Sequence, residues 1–406
     1  MWLRKKRGLC MSNIRDFHLV QKKEDASLDF SQKIKQHKRN GFVRTLLTIL
    51  VITVVVILIY IQYQNQVFTK ISSTSKVNRP TVVENASFLQ CQDNIVTYSK
   101  DGISCFDSKG KVLWNMTYEM QNPIVRISGG IVACCDYNGH IVYVIDDKGK
   151  ISQIDTNLPI RNMNVSKQKN VVAILEDASN AWVNLFDVSG NKLVEAKATM
   201  TKTGYPLTAA LSGEVMGVSY FYVDSSTMKS SVTFYNFGGV GENQSDHIVS
   251  SYDYADAVVP TLEYLDDENL FAVADNRLMF FSGNQKPTGS ADILLTENIV
   301  GIYSGNQSVG LVFYGTDGKH KYRLDLYGKD GKKKMSYDFD MDFKDIIIQN
   351  EQVVIYNESH ICLVGTNGKE KLDTLFEENI IYLQATDSKK KFVAISEDSI
   401  LSLQLE

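Results

Sequence analysis

From residue 81 onward the chain repeats one short pattern. An apolar, strand-like run ends in an acidic or polar residue and is followed by a glycine turn. It reads CFDSKGKVLW at Cys105–Trp114, VIDDKGKISQI at Val144–Ile154 and LFDVSGNKLV at Leu185–Val194. It returns as LYGKDGKKKM at Leu326–Met335 and LVGTNGKEKL at Leu363–Leu372. The marker glycines are Gly110, Gly149, Gly190, Gly331 and Gly368, at intervals of 39, 41, 141 and 37 residues. The long interval holds three periods, with weaker turns near Gly239 and Gly283. Glycine belongs there because one turn position must take positive φ, which is unfavourable for a residue with a Cβ. The preceding Asp, Ser or Asn can hydrogen-bond the turn backbone.

A second turn precedes the first by eight to ten residues where both are plain: Ser99–Ile103, Asp136–His140 and Thr316–His320. Runs such as IVRIS, IVACC and HIVYVID lie between turns and are apolar on both alternations. Such strands bury both sheet faces. Four short strands in 40–45 residues make a β-propeller blade. Units start near Phe88, Ile124, Ile160, Pro206, Val258, Ile299, Phe343 and Ile380. The eighth holds only three strands, IIYLQAT, KFVAIS and ILSLQLE. Thr81–Asn85 (TVVEN) is expected to supply its fourth and close the ring, which removes an exposed sheet edge. The expectation is therefore an all-β propeller over 81–406 with eight blades. Seven blades is the alternative count, and an extended β-solenoid the alternative architecture.

The Asp-x-x-Gly-Lys-x-x-Trp form of the first unit, Asp107, Gly110, Lys111 and Trp114, resembles the pyrroloquinoline-quinone-like propeller repeat. The resemblance covers about 81–406, although tryptophan holds this place only in the first unit. A basic tail, one span and an outer propeller also resemble a group of uncharacterised single-pass membrane proteins of Gram-positive bacteria. The resemblance implies fold and topology and no particular activity.

Ahead of the repeats lies VRTLLTILVITVVVILIYIQY, Val43 to Tyr63, free of charge, proline and glycine from Thr45 to Ile61. About 20 helical residues span the roughly 30 Å hydrocarbon core, and a lone span in lipid must be helical. The boundaries are read as Val43 and Tyr63, with Tyr60 and Tyr63 suited to the interface. Residues 1–44 carry twelve Lys or Arg against four acids, whereas 64–406 carry 31 basic and 43 acidic groups, a net charge of −12. The positive-inside rule places the 1–42 tail in the cytoplasm and the rest outside the cell membrane. The same rule accounts for the basic tail without a nucleic-acid partner. The tail is expected to be unstructured, with a short amphipathic helix using Ile14, Phe17, Leu28, Phe30 and Ile34 as the alternative. The long n-region and the missing small-x-small site argue against a cleaved signal peptide. Residues 64–80, rich in Ser, Thr, Asn and Gln, read as a polar linker.

Five cysteines follow the span: Cys91, Cys105, Cys134, Cys135 and Cys362. Their odd number and irregular spacing argue against a disulfide framework, and no zinc spacing appears. Cys134 and Cys135 are adjacent in a strand, so they are expected on opposite faces as buried core residues. The competing reading is a vicinal disulfide at a quinone. Asp338, Asp340 and Asp342 alternate in YDFDMDF and could offer a hard cation one carboxylate face. The simpler reading is an exposed strand with Phe339 and Met341 turned inward. His140, His247, His320 and His360 are scattered, mostly at turns, and no Gly-x-Ser-x-Gly elbow appears. Asn115 opens a glycosylation sequon, but in a strand. No catalytic, cofactor or metal residue is therefore assigned. The function expected is a non-catalytic, membrane-tethered interaction or cell-envelope scaffold module. Its partners are the bilayer, through 43–63, and a protein or envelope component. The alternatives are a quinoprotein-like or envelope-polymer-acting enzyme, and a transmembrane sensor.

Overall fold

The computed structural model describes residues 25–80, 85–178, 180–200, 203–224, 227–305, 307–316 and 318–406. The chain divides into two units, one ending at Gln64 and the other running from Asn65 to Glu406.

The first unit is a helix, Asp25–Gln64. It starts well before the apolar run, so residues 25–42, expected to be unstructured, are helical. Residues 1–24 of the tail lie outside the described residues. The stretch His37–Gln62 is apolar enough and, at 26 residues and about 39 Å, long enough to cross a membrane. Its threonines donate their hydroxyls back along the helix: Thr45 to the Gly41 carbonyl, Thr48 to Arg44 and Thr53 to Ile49, at 2.9–3.0 Å. That bond satisfies a polar group within the segment, as an apolar surrounding requires.

The second unit is an eight-bladed β-propeller, each blade a four-stranded antiparallel sheet. The first strands of the blades are Ser87–Cys91, Pro123–Ser128, Ile160–Val165, Tyr205–Ser212, Thr261–Tyr264, Ile299–Gly305, Asp345–Gln349 and Tyr382–Ala385. These strands neighbour one another around the axis and form the innermost layer. Second and third strands are buried on both faces, as their unbroken apolar runs demand. Asn269–Val273, Gln352–Tyr356 and most of Ile131–Asp136 are wholly buried. Apolar clusters fill each gap between blades.

Closure comes from before the first blade, but not from Thr81–Asn85. The strand Ile71–Asn78 pairs antiparallel with Ser399–Leu405, from Ile71 opposite Leu405 to Asn78 opposite Ser399. Thr81–Glu84 lie outside the described residues, and Asn85 is a turn residue with φ of 62°. The stretch read as a linker is therefore largely the outer strand of blade 8. Its polar sequence fits, because an outermost strand has one solvated face, and the burial pattern of Ile71–Asn78 is mostly exposed. Phe68, buried just ahead of it, donates its N–H to the Lys371 carbonyl at 2.7 Å, and Thr69 donates to Glu406.

The marker glycines have a second role beyond positive φ. Each turn packs on the outer strand of the preceding blade. A methyl group on Gly149 (φ 77°) would meet Trp114 Cβ at 2.7 Å, and one on Gly331 (φ 75°) would meet Ala291 Cβ at 2.3 Å. A side chain there would push neighbouring blades apart.

Candidate functional site

An innermost strand pairs on one side only, so its other edge presents free N–H and C=O groups to the axis. This edge is capped by side chains rather than left bare. Asn162 and Asn164 donate their amides to the Leu207 and Ala209 carbonyls at 3.2 Å, stitching blade 3 to blade 4. Their oxygens accept the N–H groups of Met163 and Val165. Gln90 ties blade 1 to blade 8 through the Ala385 carbonyl, and Gln349 donates to Thr386. Asp345 accepts the Ile346 N–H at 2.8 Å. Such capping meets the demand of a buried polar edge.

Inside this ring, the first strands of blades 1 to 5 line a cavity of about 510 Å³. Two of its lining side chains are charged, Arg126 from blade 2 and Glu263 from blade 5. Glu263 is reached by solvent through the cavity yet enclosed by protein all round. Burial pushes its carboxyl above the usual range, while the Ser304 hydroxyl, donated at 2.9 Å, and the Arg126 charge pull the other way. Arg126 spends one guanidinium nitrogen on the Val125 carbonyl at 3.1 Å. Asp345 is likewise pushed up by burial, against the Ile346 hydrogen bond. The cavity thus holds one cation, one carboxylate and several amides, a constellation suited to binding a polar ligand.

Charge also separates the two faces of the disc. Antiparallel pairing puts the turns between second and third strands on one face, with the connections between blades. The turns between first and second and between third and fourth strands define the other. Among the described residues the first set carries thirteen acidic and five basic side chains, and the second fourteen and twelve. The acidic excess of the propeller connections therefore lies on the first face.

The residues singled out in the sequence fall elsewhere. Cys134 and Cys135 are free thiols, fully buried on opposite faces of their strand. Cys134 packs between blades 1 and 2 and Cys135 between blades 2 and 3. Burial pushes the Cys134 thiol to about 12 and Cys135 further up. The three alternating aspartates do not share a strand face, because the strand Lys333–Phe339 ends before Asp340. Asp340 accepts from His320 Nδ1 at 3.1 Å and from the Lys321 N–H at 2.9 Å, and Asp342 pairs with Lys321 Nζ. Asp338 lies opposite Arg323. Phe339 is buried, as expected. Among the described residues no group of three or more His, Cys, Asp or Glu is placed to hold a metal. His140 is exposed at a turn, His247 sits in the short turn Ser245–His247, and His360 pairs with Asp373. Val43 is an exposed residue within the helix, and Tyr63 is its penultimate residue.

The profile of the family of unknown function DUF5711 matches residues 64–405. The chain belongs to the DUF5711 family. No curated protein matches this DUF5711 chain in sequence. Solved structures match its fold. A eukaryotic initiation factor aligns over 81% of the DUF5711 chain and 87% of its own, with 11% identity and a TM-score of 0.52. AztD of Citrobacter koseri aligns over 73% and 87%, with 12% identity and a TM-score of 0.50. BamB of Moraxella catarrhalis aligns over 82% and 100%, with 10% identity and a TM-score of 0.48. At these identities the likeness is one of fold alone.

Proposed function

We propose that this DUF5711 chain is a non-catalytic interaction module. The 43–63 span tethers it to the cell membrane with the N-terminus in the cytoplasm. The propeller lies outside and offers its acidic face to a basic protein or cell-envelope partner. The observation that carries the reading is the charge difference between the two faces of one rigid ring. Loops from every blade display side chains on such a ring, and complementary charge steers partner association. The repeat resemblance to quinone-binding propellers is one of architecture. Two thiols on opposite strand faces, each in its own apolar cluster, do not form a ring against a cofactor.

Two measurements test the reading. On a Cys10→Ser background, with the described thiols buried, a surface cysteine at Ser189→Cys reports on topology. It should react with an impermeant maleimide in intact cells, and protection until lysis would reverse the orientation. Photo-crosslinkers at Glu119 on the acidic face and at Lys109 on the other should capture different neighbours. Glu377→Lys with Glu378→Lys should abolish the Glu119 crosslink. Equal capture from both faces, or a crosslink indifferent to the charge reversal, would refute the acidic-face reading.

A further inference from the structure

We propose that the central channel binds a small zwitterion, an amino acid or short peptide, whose carboxylate meets Arg126 and whose ammonium meets Glu263. Both side chains line one cavity, and both are open to solvent within it. The guanidinium turns to the Val125 carbonyl and the carboxylate to the Ser304 hydroxyl, so each keeps bonding capacity for a guest. Ser304 occupies Oε1 of Glu263, which fixes the carboxylate and leaves Oε2. A simple anion at Arg126 would bring negative charge towards Glu263, and a simple cation at Glu263 would face Arg126. A molecule with both charges satisfies the two together. The volume lies inside the roughly 300–1,000 Å³ typical of small-molecule sites. Asn162 and Asn164, already tied to backbone on both sides, give the wall a rigid polar lining that fits an amide-bearing guest. The site is independent of the acidic face, and neither reading depends on the other.

The test is calorimetric titration of the detergent-solubilised full chain with dialanine. N-acetylalanine, which lacks the ammonium, and alaninamide, which lacks the carboxylate, serve as controls. Dialanine should bind with a Kd of about 1 mM or tighter. Each control should bind at least about tenfold more weakly, as should dialanine to Arg126→Met and to Glu263→Gln. If Arg126→Met fails to fold, the two controls on the unaltered chain and the Glu263→Gln variant still decide. Absence of saturable dialanine binding overturns the proposal. So does N-acetylalanine binding as tightly as dialanine, which would make the channel a plain anion site.

Discussion

Carboxylates in the outer turns and carboxylates on the first strands are the same group under opposite conditions. Asp146, at a marker turn, accepts the N–H groups of Lys148 and Lys150 at 3.0 and 2.9 Å and the Lys169 ammonium at 3.1 Å. Burial pushes its pKa up, but the Lys150, Lys169 and Lys148 hydrogen bonds outweigh that and hold it below the ordinary value. Asp187 is also held low, first by the Asn191 side chain and, against some burial, by turn N–H groups. Glu263 and Asp345 are pushed the other way, chiefly by burial. The turn acids stabilise the fold in their charged form. Glu263, in the cavity, and Asp345, on the first strand of blade 7, are charges that the fold tolerates at a cost.

The contrast requires a closed ring, so the largest effect should come from removing its closing strand. Deleting Ile71–Asn78 leaves Ser399–Leu405 as a bare edge, and the propeller should aggregate or lose cooperative unfolding. Thermal unfolding of this variant beside the full chain checks this, and equal melting would sink the assignment. Next in size is Asp146→Ala, which frees two turn N–H groups and Lys169. It should destabilise by about 1–2 kcal/mol in a denaturant titration.

Acid sharpens the comparison. A carboxylate with a depressed folded pKa contributes stability that is present above its unfolded value and lost as pH falls through the folded one. Asp146 and Asp187 should therefore weaken the fold only below about pH 4, and Asp146→Ala should flatten that limb of the stability–pH curve. Asp345 has the opposite sign. Its folded pKa is raised, so the folded state gains relative stability as pH falls through that value. The smallest predicted change follows: Asp345→Asn should raise Tm slightly at neutral pH, with the gain vanishing below about pH 4. A lower Tm at pH 7 would mean that the ionised form is needed in place.

The blades could be read from the sequence because each is local. Units expected near Phe88, Ile160 and Ile299 begin at Ser87, Ile160 and Ile299. Apolar runs and glycine turns fall within some 40 residues, where periodicity survives. The closing strand was misplaced because Ile71–Asn78 is polar and solvated on one face. It belongs to a partner more than 300 residues away, so no local pattern marks it. The channel pair was missed for a related reason. Arg126 and Glu263 are single charged residues in short first strands of different blades, and only the ring brings them to one cavity. A faint signal existed in Arg-Asn-Met-Asn at 161–164 and in Glu263, polar breaks in strands that would otherwise read as core. The aspartate trio shares no strand face because the alternation of Asp338, Asp340 and Asp342 runs past the strand's end at Phe339, and sequence alternation alone does not mark that end.

Ring closure by the strand that begins at Ile71 sets a clock on biogenesis. That strand leaves the ribosome early, while its partner begins only at Ser399, after 320 further residues. At about 5–20 residues per second, the wait is roughly 16–64 s. For that interval seven blades can assemble in order while the first strand stays unpaired. The growing chain therefore carries a sticky edge until synthesis is nearly complete. Its polar face, with Lys76 in it and Lys70 just before it, is what must keep that edge from pairing with another chain.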